Sequence, residues 1–184
     1  MKRRDFSLLT LTLLGSPLFA ASPDSVYNLP VTLTDHLGQT RPLDSLRGRP
    51  VIVTLFYTSC QMVCPMIIEA IRANEQRLTA AERAQLAVLM VSLDPERDTV
   101  GVLKATADQR RLEAPHWTLA RCDAKSVRRL AAVLGIQYRQ LPDGDFNHSS
   151  TLLLLDREGR IAARTNQIAG ADPAFVKKIR SALE

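Results

Sequence analysis

The run Val51-Ile52-Val53-Thr54-Leu55-Phe56-Tyr57-Thr58-Ser59-Cys60-Gln61-Met62-Val63-Cys64-Pro65 decides how this chain folds. Its first seven residues are mostly apolar and β-branched, the length and composition of a buried strand. Thr58 and Ser59 end that run. Pro65 suits the first turn of a helix, where no backbone N–H is needed. Beyond it, Ile67, Ile68, Ile71 and Leu78 recur on one helical face. Asn74 and Glu75 interrupt the stripe, so its far end is expected to be less buried. Cys60 and Cys64 therefore fall where a strand gives way to a helix. Unpaired N–H groups and the helix dipole favour an anion there, so a lowered thiol pKa is expected.

Working outward, Val31–Thr34 alternates apolar and polar residues, and Asp35–Thr40 reads as a turn, which makes an N-terminal hairpin. Thr79-Ala80-Ala81-Glu82 carries a helix-start pattern and predicts a short second helix. Leu86–Leu93 is a second apolar strand, broken by Asp94-Pro95-Glu96-Arg97-Asp98-Thr99. Asp98 or Thr99 can cap the helix that runs to about Arg111. Trp117–Ala120 is a brief strand, and Asp123 caps a helix over Ala124–Leu134 that ends at Gly135. Ile136–Leu141 is extended, and Pro142–Asp145 turns. Thr151–Leu155 is a third long apolar strand, with Arg160–Arg164 as its hairpin partner, and Asp172-Pro173 starts a last helix. Strands interleaved with helices, closed by a hairpin and a helix, predict an α/β domain with a central mixed sheet flanked by helices. A dithiol at the first crossover makes the thioredoxin-like fold the best single choice, with the N-terminal hairpin as an extension.

The 184 residues are enough for one domain with a real core, and no second boundary is visible over 22–184. The net charge of +5 is mild, part of it comes from Lys2, Arg3 and Arg4, and the remaining basic residues are mixed with acids. Without a basic stripe or stacking aromatics, nucleic acid is not an expected partner. The start has the layout of an export signal over residues 1–21. A charged head is followed by the apolar run Phe6–Leu14, then by Gly15-Ser16-Pro17, then by small residues ending at Ala20-Ala21. Arg3-Arg4 resembles a twin-arginine signal. A periplasmic location is expected, with a membrane-anchored form if the segment is not cleaved. The three cysteines, Cys60, Cys64 and Cys122, are too few and of the wrong parity for a disulfide scaffold.

On a helix, positions i and i+4 share a face with Cβ atoms roughly 5–6 Å apart. Two thiols so placed can close a disulfide or share a soft metal ion such as Cu(I). His148, directly before the third apolar strand, can join them if the loops at one sheet edge converge. Met62 and Met66 bracket Cys64 and are read as packing residues, although thioethers also suit Cu(I). His36, in the hairpin turn, is expected to be solvated. His116 is expected to be a loop or packing residue, and Cys122 a quiet, partly buried one.

Three blocks in order, Tyr57–Pro65, Val91-Ser92-Leu93-Asp94-Pro95-Glu96-Arg97-Asp98-Thr99 and His148-Ser149-Ser150, resemble the signatures of the SCO/SenC proteins. The resemblance covers about residues 27–184 and implies a thioredoxin-like fold and copper held by two Cys and one His. Carried over by position, the ligands are Cys60, Cys64 and His148, with Asp94 steadying the site from behind. It further implies a metallochaperone that supplies copper, as Cu(I) or Cu(II), to the binuclear copper site of cytochrome c oxidase during its assembly. The partner would be the copper-site subunit of that oxidase or another exported cuproprotein, with a second periplasmic copper chaperone or a thiol reductant upstream. The alternative is a thiol–disulfide oxidoreductase in which Cys60 and Cys64 form a redox-active pair that reduces cysteines of such a partner. Three residues between the cysteines, rather than the two usual in oxidoreductases of this fold, favour copper.

Overall fold

The fold grows outward from two parallel strands that are buried along their whole length. In this computed structural model, which describes residues 23–60 and 62–184, β3 (Val51–Phe56) and β4 (Ala87–Ser92) have every residue buried. The expected export signal lies outside the described residues. β3 and β4 sit at the centre of a seven-stranded sheet in the order β2-β1-β5-β4-β3-β8-β9. The flanking strands are β1 (Thr32–Asp35), β2 (Thr40–Pro42), β5 (Trp117–Arg121), β8 (Leu152–Leu155) and β9 (Ile161–Thr165). β3, β4 and β5 are parallel, while β8 and β1 join them antiparallel. The sheet is thus mixed, and with its flanking helices the fold is thioredoxin-like. Thr54, fully buried within β3, is satisfied by the Thr151 carbonyl at 3.0 Å.

The helices are α1 (Val63–Glu75), α2 (Ala80–Gln85), α3 (Val100–Arg110), α4 (Ala124–Leu134) and α5 (Pro173–Leu183). The crossovers β3–α1–β4 and β4–α3–β5 each move one strand along the sheet, so a common hand places α1 and α3 on one face. Arg72 of α1 accordingly reaches the Arg110 carbonyl at the end of α3. α5 packs beside α1 and α2, whereas α4 packs against the lead-in turn Val26–Asn28. Thr79 and Glu82 form a reciprocal capping box on α2, and Asp123 caps α4, as their sequence patterns predict. Among the described residues no helix is long and apolar enough to cross a membrane.

Two expectations about polar residues fail. Asn74 and Glu75 are buried, at 0% and 6% exposure. The Asn74 amide donates to Ala70 O and accepts from Asp172 N, which ties α1 to the start of α5. Glu75 meets the His116 ring at 2.5 Å. His36 is not solvated either: it is 4% exposed, and its Nδ1 accepts the Leu119 N–H at 3.2 Å where β1 meets β5. Both departures have one cause, because polar groups enter a core when a distant backbone or side chain pairs them.

The extended stretch after α4 also does more than expected. Part of it forms β6 (Tyr138–Gln140), which pairs with the short strand β7 (Phe146–His148). This hairpin is a separate two-stranded sheet, not joined to the main one.

Candidate metal centre

Register explains why three distant segments share one end of the sheet. β3 and β4 run in parallel, so the loop after Phe56 and the loop after Ser92 leave by the same edge. β8 runs antiparallel to β3, with Val53 opposite Leu153, so the residues before Leu152 arrive at that edge too. Ligand sites of open α/β sheets form there, beyond the carboxyl ends of the parallel strands.

Cys60 and Cys64 are both free thiols with different surroundings. Cys60 lies before α1 and is partly exposed; Cys64 lies in its first turn and is 4% exposed. The Cys64 N–H donates to the Cys60 sulfur at 3.3 Å. Partial burial works against a Cys60 thiolate. The backbone N–H and thiol of Cys64, with the N–H groups of Met62 and Val63, outweigh it and hold the Cys60 pKa below its ordinary value. Cys64 goes the other way. Burial raises its pKa most, the N–H of Tyr57 opposes, and the neighbouring Cys60 and the Asp98 carboxylate raise it further. The two thiols are therefore unequal, and Cys60 loses its proton more readily than Cys64.

His148 ends β7 and is half-buried. Its Nδ1 faces the Ser149 carbonyl at 3.2 Å, and a carbonyl only accepts, so Nδ1 carries the hydrogen and Nε2 keeps its lone pair. Burial lowers its pKa, partly offset by that same hydrogen bond, and the ring is neutral at physiological pH. A neutral imidazole with one nitrogen pinned to a carbonyl is the form that metals bind.

Tyr57 stands between the dithiol and the imidazole. Its ring centroid lies 5.8 Å from His148 and 5.3 Å from Phe146. Its hydroxyl donates to Phe146 O at 3.4 Å, and its side chain also meets Cys60. Burial pushes the Tyr57 phenol up to about 12, so it stays a neutral donor. The structure thus brings Cys60 and Cys64 together and places His148 across one aromatic ring from them. Among the described residues no three His, Cys, Asp or Glu side chains are already gathered closely enough to hold a metal ion. Met62 and Met66, read as packing residues, are instead exposed, at 75% and 40%.

Asp94 reaches this end of the molecule without touching the sulfurs in any hydrogen bond or ion pair; its carboxylate holds Arg97. The carboxylate behind the dithiol is Asp98, 1% exposed. It accepts from Ser92 Oγ at 2.5 Å, from Thr58 N at 3.2 Å and from Thr58 Oγ1. Sequence reasoning offered Asp98 only as a helix cap. Thr99 takes that role by accepting from Val102 N, which leaves Asp98 free to turn back toward Thr58. Two adjacent capping residues before one helix are the signal that one of them serves elsewhere. Cys122 is buried, 7% exposed, and burial pushes its thiol up to about 12, as an inert residue requires.

A thioredoxin-like fold with an unequal dithiol at its first crossover and a histidine beyond one aromatic ring from it defines a class of thiol or soft-metal proteins. The SCO1/SenC family profile matches residues 20–184, and the chain belongs to that family. A Stutzerimonas stutzeri protein described as copper-binding is 28% identical over 133 residues, which span 70% of this chain and 64% of the relative, just under two thirds of its length. The copper-bound structure of Bradyrhizobium japonicum ScoI is 25% identical, covers 83% of this chain and 96% of its own, and superposes with a TM-score of 0.66. A structure of BsSco, described as a member of the Sco family of cytochrome c oxidase assembly proteins with a disulfide switch, superposes with a TM-score of 0.72 at 21% identity. That alignment covers 84% of this chain and 92% of BsSco.

Proposed function

We propose that this chain is an exported copper carrier that binds one copper ion through Cys60, Cys64 and His148. Its cargo goes to the binuclear copper site of cytochrome c oxidase during assembly. The observation that carries this is the meeting of a partly exposed Cys60, which the Cys64 N–H reaches at 3.3 Å, with Tyr57, whose ring lies 5.8 Å from His148 at the same end of the sheet. Two sulfurs and one imidazole suit Cu(I) and tolerate Cu(II). The copper-bound relative and the family's description in oxidase assembly support the cargo and the destination. A periplasmic location fits a protein whose start reads as an export signal. Copper titration of the reduced protein tests the proposal. One equivalent is expected to bind, Cys60→Ser/Cys64→Ser to abolish binding, and His148→Ala to weaken it and change the Cu(II) spectrum. Unchanged affinity and spectrum in His148→Ala would remove that donor.

The inequality of the thiols favours a second reading, thiol–disulfide exchange. The Cys60 thiolate would attack a partner's disulfide, form a mixed disulfide and release one partner thiolate. Cys64 would then lose its proton and displace the second. The partner gains two thiols and this chain becomes Cys60–Cys64 disulfide. Full partner reduction by Cys60→Ser would end this reading.

A further inference from the structure

We propose that Arg97 is the positioning residue that holds the His148 hairpin over the dithiol, a role that rests on the copper reading above. A two-stranded ribbon on its own is marginally stable in water, so something must fix β6–β7 in place. Its base is tied by the Ser149 N–H to Gln137 O at 2.9 Å. Its middle leans on Tyr57 through Phe146 and His148. Its tip is held by Arg97, whose Nη2 donates to Gly144 O, 47 residues away in sequence.

The other side of the guanidinium explains why this contact is directional. Nε of Arg97 donates to Asp94 Oδ2, and Asp94 is itself fixed. It is 6% exposed, its N–H donates to Ser92 Oγ at 2.9 Å, and its carbonyl accepts the Asp98 N–H at 2.9 Å. Arg97 therefore bridges a rigid loop at the end of β4 to a hairpin outside the sheet. The fit is close: Gly144 has φ +88°, and a Cβ added there would lie 3.2 Å from Arg97 Nη1. The Arg97 side chain is 49% exposed, and exposed ion pairs contribute little to folding stability. What the bridge controls is position. With the tip released, the hairpin swings about its base at Gln137 and Ser149 and carries the imidazole away from Tyr57. Lysine cannot replace the bridge, because a single ammonium lacks the fork that serves two acceptors in fixed geometry. Asp94 acts on the site through this same residue.

The test compares Arg97→Ala, Arg97→Lys, His148→Ala and Arg97→Ala/His148→Ala in the full protein, by release of copper to a competing chelator and by the Cu(II) charge-transfer spectrum. Both Arg97 variants are expected to release copper about five- to tenfold faster, the modest effect of losing one exposed hydrogen bond that sets position. The double variant is expected to behave as His148→Ala alone. Wild-type release by Arg97→Lys, or additive losses in the double variant, would overturn the proposal. A metal-free arm separates its fate from that of the copper reading: the NMR cross-peak between the Tyr57 and His148 rings in the reduced apo protein. Loss of that cross-peak in both Arg97 variants, with Trp117 fluorescence unchanged, supports the bridge even if no copper binds. Its persistence refutes the bridge.

Discussion

Replacing Asp98 separates its two duties, and the two replacements should differ sharply. Asp98→Ala removes the acceptor for Ser92 Oγ, Thr58 N and Thr58 Oγ1. Ser92 is fully buried and Thr58 half-buried, so at least one hydroxyl and one N–H are left with poor alternatives. Each stranded buried group costs about 1–3 kcal/mol, and we expect a loss of about 3 kcal/mol in total. For a domain of this size that lowers Tm by roughly 6–12 °C. Asp98→Asn keeps the pattern. Its oxygen can accept from Thr58 N and Ser92 Oγ, and its amide can donate to Thr58 Oγ1, which rotates to accept. The expected loss is about 1 kcal/mol or less.

What Asp98→Asn does remove is the negative charge that, together with burial, raises the Cys64 pKa. Loss of a nearby negative charge favours the thiolate, so the Cys64 pKa falls. In a Cys60→Ser background, Asp98→Asn should therefore speed alkylation of Cys64 by iodoacetamide several-fold near neutral pH, while Tm stays within a few degrees. Calorimetry and mass-resolved alkylation measure the two quantities on the same samples. Equal Tm losses for Ala and Asn, or a Cys64 rate unmoved by Asn, would refute the assignment of Asp98 as a charge behind the dithiol.

Alkylation of the reduced wild-type protein should modify Cys60 first, with Cys64 and Cys122 slower by at least tenfold, as peptide mass mapping would show; equal rates would contradict the thiol asymmetry. His116 meets Leu86 O through Nδ1 at 3.0 Å and Glu75 through Nε2 at 2.5 Å, and when the ring is protonated both nitrogens donate. The Glu75 hydrogen bond raises its pKa above the ordinary 6.5 despite burial and Arg49. Its stabilisation is present in full below about pH 6.5 and is lost as pH rises through the higher folded value. Between pH 5.5 and 8.5, Tm of the wild type should fall relative to His116→Gln, and parallel curves would dismiss the link. Asn74→Ala breaks the α1–α5 tie and should cost about 2 kcal/mol, or roughly 4–8 °C in Tm; a change within 1–2 °C would contradict it.

The parts legible in the sequence are those that depend on local pattern. β3, β4 and β8 announce themselves as short apolar runs because both of their faces are covered. The dithiol is legible because a strand end, two cysteines and a proline occur within one short stretch. The hidden parts depend on contacts between distant segments. His36 looks like a turn residue until β5 supplies the Leu119 N–H. Asn74 looks like a break in an apolar stripe until α5 brings Asp172 N to it. β7 is three residues long, too short for its alternation to register, yet it fixes the direction of His148. Asp94 and Asp98 are alike in sequence, and only folding shows that one orients an arginine while the other backs the dithiol.

The distribution of the three proposed donors bears on why a copper carrier would be built this way. A site whose ligands all sit on one rigid element releases its metal only by losing them together. Here Cys60 precedes the helix and is partly exposed, Cys64 is fixed within its first turn, and His148 rides on a ribbon outside the main sheet. Each donor answers to a different local force: helix N–H groups for Cys60, burial for Cys64, and the Tyr57 and Arg97 contacts for His148. On the copper reading, a partner's ligands could then displace the ion stepwise, one donor at a time. The same separation makes the thiol state a gate. Once Cys60 and Cys64 close a disulfide, no thiolate remains for Cu(I), and His148 alone cannot keep it. On the two proposed readings, copper loading and disulfide exchange would compete for one pair of sulfurs, and the supply of reductant would decide which chemistry the pair performs.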